Sequence, residues 1–160
     1  LSSSSAASDV YKRQAGAFPP VIGWVCSAND ISFFPVLLFC IIFFWTPPHF
    51  WALALYKDIE YSKANVPMLP VVKGKRVTKN QIMIYAIILF LVSLLPYILS
   101  YSGLFYLSSA LILNIYLCYL SFRLLRSRDS KHSGFAPKLF KFSILYLYLM
   151  FSSLVIDSLL

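Results

Sequence analysis

Formal charge is what this 160-residue sequence has least of: 12% of its residues are charged, and only 6 are acids. A soluble domain carries about twice that share. The shortage excludes an ordinary water-soluble fold, and a hydrophobic content of 59% shows what fills the gap. Mean hydropathy is +0.74. The 14 Phe and 11 Tyr suit a surface that faces lipid or the interface. The membrane class follows. Cysteine is scarce too. Cys26, Cys40 and Cys118 stand apart, with no Cys-x-x-Cys and no Cys/His spacing. A zinc site is not expected, and the three read as small apolar packing residues. No internal repeat and no sustained heptad is present.

The opening residues 1–14, LSSSSAASDVYKRQ, lack an apolar stretch and so make no signal peptide. They are Ser-rich, unlike the rest, and read as non-native, adapter-like sequence. The membrane domain is expected from residue 15 onward. No initiator Met is present, so the true N-terminus is expected upstream.

Apolar runs then dominate. A bilayer core about 30 Å thick needs roughly 20 helical residues. The segment Ala15 to Asn29 resembles the remaining part of a membrane helix that starts at Pro19-Pro20, since Pro is tolerated at a helix start. Ile31 to Tyr56 contains no Lys, Arg, Asp or Glu and carries Pro47-Pro48, which should kink or break it. Asn80 to Phe122 is also free of charge and too long for one span. The turn LSYSG (Leu99–Gly103) divides it. A last run follows Lys141. The expected architecture is an all-α, polytopic transmembrane helix bundle with spans near residues 17–29, 31–56, 81–99, 104–125 and 142–160.

Net charge is +8, but its distribution argues against nucleic acid as a partner. Bases that grip nucleic acid form a stripe on a soluble fold. Here, beyond residue 14, every Lys and Arg falls between apolar runs, in residues 57–79 or 123–141. Two spans separate these segments, so both belong on one side, and the positive-inside tendency puts that side in the cytoplasm.

The first basic segment continues directly from an apolar run: WTPPHFWALALYKDIEYSKANVPMLPVVKGKR, Trp45 to Arg76. Asp58 and Glu60 are hard oxygen donors that suit Mg²⁺. Lys63, Lys73, Lys75 and Arg76 suit phosphate oxygens. Together they would make a diphosphate site, with an apolar tail extending into the bundle. The bland alternative is a set of solvated loop charges beside a membrane. His49 has the same two readings. It is either a hydrogen-bonded packing residue beside Trp and Phe, or one of the rare ionisable residues within spans that serve function. It lies nine residues before Asp58, roughly 14 Å along a helix. That is too far to share one metal but within reach of one large substrate. Lys138 and Lys141 are one turn apart and project from one face, toward lipid headgroups or substrate anions. His132 reads as solvated, Asp157 as interfacial, and Asn114 and Tyr116 as candidates to line the bundle.

Four stretches, in order, now carry a resemblance: PPVIGW (Pro19–Trp24), WTPPHFWALALY (Trp45–Tyr56), EYSKANVPMLPVVKG (Glu60–Gly74) and KLFKFSILYL (Lys138–Leu147). Together they resemble the protohaem IX farnesyltransferase (haem O synthase) branch of the UbiA-type intramembrane prenyltransferases, over essentially Ala15 to Leu160. The resemblance implies about nine helices around a cavity, of which about five are present. It implies transfer of farnesyl from farnesyl diphosphate to a vinyl group of haem B, with Mg²⁺ held by two Asp-rich loops. It assigns catalytic and metal roles to Asp58, Glu60 and Tyr61, and diphosphate binding to Lys63, Lys73, Lys75 and Arg76. His49, Trp45, Trp51, Lys138 and Lys141 would line the haem and substrate cavity. The implied setting is a bacterial inner membrane with cytoplasmic active-site loops. Membrane lipid, haem A synthase or oxidase assembly proteins would be its neighbours.

Two departures stand out. The family's first Asp-rich loop has no counterpart here, so the chain alone is expected to be inactive. Glu60 stands where the family has Asp, with the extra acid Asp58 two residues earlier. Either could ligate. The competing readings are a quinone-pathway aromatic prenyltransferase and a non-catalytic polytopic protein such as a transporter or an oxidase assembly subunit. A transporter more typically places charged or broken-helix elements at mid-bilayer, whereas these carboxylates cluster at a membrane edge.

Overall fold

The computed structural model describes residues 16–28, 32–57, 69–127 and 134–160, and these are helical with short connections. The elements are α1 (Pro19–Ala28), α2 (Phe33–Tyr56), α3 (Leu69–Val72), α4 (Lys75–Ile98), α5 (Leu104–Arg126) and α6 (Phe135–Asp157). Four of them, α2, α4, α5 and α6, are long and apolar enough to cross a membrane. At 23 or 24 residues each, a rise of 1.5 Å gives about 35 Å, enough to cross the hydrocarbon core. The 10 residues of α1 are too few, although it does start at the tandem proline.

The four long helices close into a ring. α2 packs on α4 and α6, α4 on α5, and α5 on α6. Close approach comes from small residues facing inward: Ala52, Ala86, Ala110 and Ala136 are all fully buried. Leu and aromatic side chains fill the rest, among them Leu89, Leu117, Leu139, Tyr106 and Tyr146. The outer surface is equally apolar. Ile112 is 70% exposed and Ile115 62%, which water would penalise and lipid does not. This is the surface of an integral membrane protein.

Both ends of the ring are tied. At one end the LSYSG turn terminates α4 with a Schellman pattern. Ser100 takes the left-handed conformation at φ 61°. Its N–H donates to Tyr97 O at 3.0 Å, and that of Tyr101 donates to Pro96 O at 2.8 Å. At the same end the Asp157 carboxylate, from the last turn of α6, accepts from the Gly103 and Tyr106 N–H groups that open α5. A negative charge is thereby placed on a helix N-terminus, where it is favoured. At the other end Lys79 Nζ, on the first turns of α4, donates to Ser127 O at 2.8 Å, where α5 stops.

Helix ends differ from the hydropathy expectation. α4 begins at Lys75 rather than near residue 81, and α6 at Phe135 rather than near 142. Hydropathy marks where the apolar slab stops, but helices continue through the headgroup layer with basic side chains on their terminal turns. α2 runs on through Pro47 and Pro48 without a break.

Candidate active site

Basic side chains from α4, α5 and α6 gather at one end of the ring. Lys73, Lys75 and Arg76 are exposed around Gly74, whose φ of 83° turns the chain from α3 into α4; that positive φ favours glycine. Lys79, one turn further, is buried and pins α5. Arg123 and Lys138 share one aromatic ring, with the guanidinium 4.9 Å and the ammonium 5.8 Å from the centroid of Phe135. Lys141 is exposed on the next turn. The two basic segments thus meet at the same end, as their separation by two spans predicts. Asp58, Glu60, Tyr61 and Lys63 lie outside the described residues.

Deeper in the ring, His49 of α2 is held on three sides. Its imidazole is stacked between Trp45, with centroids 4.5 Å apart, and Phe140 of α6, at 4.7 Å. Its Nδ1 is 2.7 Å from the Ser143 hydroxyl. Ser143 also receives Trp45, whose indole N–H donates to the Ser143 carbonyl at 2.7 Å. The aromatic triple is therefore fixed by one residue of α6. His49 lies eight residues inside Lys57, about 12 Å below the basic end. Trp45 also walls an apolar groove of about 550 Å³ between α1, α2 and α6, with Pro19, Ile42, Leu147 and Phe151. Trp51 behaves differently. It is buried in the core and edge-on to Tyr85 of α4, so its ring belongs to the packing between α2 and α4.

A basic rim therefore lies above an apolar wall with one caged histidine. The sequence comparison decides the family. The profile of the UbiA prenyltransferase family matches residues 6–147. The chain belongs to the UbiA prenyltransferase family. The match begins inside the Ser-rich start that composition sets apart. Similar proteins of this family include one from Acidiphilium cryptum, 50% identical over 151 residues, and one from Novosphingobium aromaticivorans, 48% identical over 147 residues. Another, from Pseudomonas aeruginosa, is 48% identical over 143 residues. The first two carry the name Protoheme IX farnesyltransferase and the third Protoheme IX farnesyltransferase 1. Between 89% and 91% of this chain is covered, but only 46–48% of each relative, so the chain spans about half the length of the curated relatives it matches. No solved structure matches.

Among the described residues no group of three or more His, Cys, Asp or Glu side chains gathers. Asp157 is the one acid of the six that is described, and it caps α5 at the end opposite the basic rim. Asp58 and Glu60, expected from the sequence as Mg²⁺ ligands, lie outside the described residues, as do Asp9, Asp30 and Asp129.

Sequence reasoning missed two features. Ser143 and Phe140 lie in an apolar run, where nothing marks them as partners of a histidine 94 and 91 positions away. Asn114, a candidate to line the bundle, is the centre of a buried network that periodicity does not reveal. Its Nδ2 donates to Ser93 Oγ at 2.8 Å and its Oδ1 accepts from the Tyr146 hydroxyl at 3.0 Å. The Tyr106 hydroxyl donates to Ser93 O at 2.7 Å. Tyr116, the other candidate, is exposed on α5 and packs edge-on against Phe142. Of the cysteines, Cys26 is exposed and the other two half-buried, and all three are free thiols.

Proposed function

We propose that the protein transfers a farnesyl group from farnesyl diphosphate to a vinyl group of haem B, giving haem O and diphosphate. The observation that carries this reading is identity of 47–50% to relatives named Protoheme IX farnesyltransferase over some nine-tenths of the chain. The basic rim supports it. Lys63, Lys73, Lys75 and Arg76 suit the leaving diphosphate, and Lys138 and Lys141 suit its oxygens or the haem propionates. Asp58 and Glu60 would hold Mg²⁺, which when bound neutralises diphosphate charge, and Tyr61, next in sequence to Glu60, would act with them.

In the reaction the bond from farnesyl C1 to the diphosphate oxygen breaks, and the vinyl carbon of haem forms a bond to C1. Water adds its oxygen to the other vinyl carbon and a proton is lost. The chain's own contribution is to draw off diphosphate at the rim and to keep the allylic cation among apolar and aromatic side chains such as Trp45, away from water. His49 would contact the porphyrin. We assign the basic end to the cytoplasmic face of a bacterial inner membrane, and haem A synthase or oxidase assembly proteins as consumers of the product.

The test uses the full-length gene. Purified protein given haem B, farnesyl diphosphate and Mg²⁺ should yield haem O by mass spectrometry, and a complete lack of product would sink the reading. Asp58→Ala and Glu60→Ala, made separately, assign the metal carboxylate. The ligand's loss should lower kcat about 10²-fold or more, the scale of losing one preorganised charge-stabilising group. If neither variant is slower, the loop has been misread.

A further inference from the structure

We infer that Ser143 is a positioning residue that fixes the tautomer of His49, leaving its Nε2 lone pair available as a Lewis base for a metal centre such as a porphyrin iron. Ser143 Oγ makes two short contacts, one to the carbonyl of Phe140 at 2.7 Å and one to His49 Nδ1 at 2.7 Å. A hydroxyl has one hydrogen to donate. A carbonyl oxygen can only accept, so the Ser143 proton belongs to Phe140 O; otherwise two oxygen lone pairs would face each other at that distance. The second contact must then be an N–H donated by the ring to Ser143 Oγ. In the neutral ring a proton on Nδ1 means none on Nε2.

The ring is also prevented from turning. Trp45 and Phe140 cover its two faces at 4.5 and 4.7 Å, with interplanar angles of 20° and 27°. Trp45 is itself tied to the Ser143 carbonyl. An imidazole with one nitrogen donating to a fixed acceptor, its plane locked and the other nitrogen carrying a lone pair is the arrangement that outer partners impose on metal-binding histidines. Packing alone needs neither the tautomer nor the lone pair. Among the described residues the ring's one polar partner is Ser143. The metal half of this inference rests on the reading of His49 as a haem contact, whereas the tautomer half does not.

The experiment separates the two. Full-length protein labelled with ¹⁵N-histidine is placed in lipid bilayers without haem, and the His49 signal is identified by its loss in His49→Gln. Solid-state NMR should show wild-type His49 protonated at Nδ1 only. Ser143→Ala keeps the backbone carbonyl that holds Trp45 and should release the ring to a mixture with Nε2–H. Ser143→Thr, which keeps the hydroxyl, should restore the single tautomer. A wild-type ring carrying Nε2–H, with or without Nδ1–H, overturns the inference, as does a Ser143→Ala spectrum identical to wild type. Haem B is then titrated into the same proteins and followed by its Soret band and electron paramagnetic resonance. Ser143→Ala should weaken haem affinity about 10-fold or more, and His49→Gln should abolish the nitrogen-ligand signature. Haem spectra unchanged by His49→Gln would overturn the metal half while the tautomer result stood.

Discussion

Asn114 has no access to solvent, yet it satisfies three helices at once. Removing it leaves the Tyr146 hydroxyl buried without its acceptor, which costs about 1–3 kcal/mol. Asn114→Ala should lower the stability of the full-length protein in detergent by that amount, read from a denaturant titration. Tyr146→Phe made on top should recover part of the loss, because the orphaned hydroxyl goes with it. Strict additivity of the two would show that the hydrogen bond contributes nothing. The residue scale is also where sequence reading reached least far. His49 could be singled out because an ionisable group in an apolar run is conspicuous. The serine that orients it could not, because serine in a membrane helix usually bonds back along its own helix. Ser143 does so as well, and only the fold shows its second contact.

At the scale of elements, the turn between α4 and α5 pays a conformational penalty that sequence pattern does not reveal. Ser100 occupies the left-handed position where glycine is usual, and an L-residue there costs about 1 kcal/mol. Ser100→Gly should therefore raise stability by up to about 1 kcal/mol; a fall would mean that the side chain contributes more than its strain. The existence and order of the long helices were legible, because uncharged runs of this length have few alternatives. Their ends were not. Lys75, Arg76 and Lys79 lie before the span expected at residues 81–99, yet each belongs to α4. Helix propensity and capping, not hydropathy, decide where backbone hydrogen bonding stops.

For the whole molecule, the charge map makes a topological claim that labelling can check. With Cys26, Cys40 and Cys118 replaced, Lys75→Cys and Lys138→Cys should react with a membrane-impermeant maleimide from the same face of sealed vesicles. Tyr101→Cys should react only from the other. Labelling of residues 75 and 138 from opposite faces would contradict the up-and-down ring. That the two basic segments share a side was readable from sequence alone, since parity of spans is simple counting. That Lys79 of the first segment is tied to Ser127 of the second, and that a caged histidine lies beneath them, required the packing.

The placement of Asp157 has an energetic consequence for how the protein sits in its membrane. Every described Lys and Arg, from Lys57 to Lys141, lies at one end of the ring, while the described acid at the other end is hydrogen-bonded to the N-terminus of α5. The bundle is therefore an oriented object in an electric field. Turning it over would carry each cation across the membrane potential, at about 2.3 kcal/mol per charge per 100 mV, before any desolvation is counted. The membrane potential therefore favours one orientation of the bundle over its inverse, by an amount that grows with each basic side chain at that end.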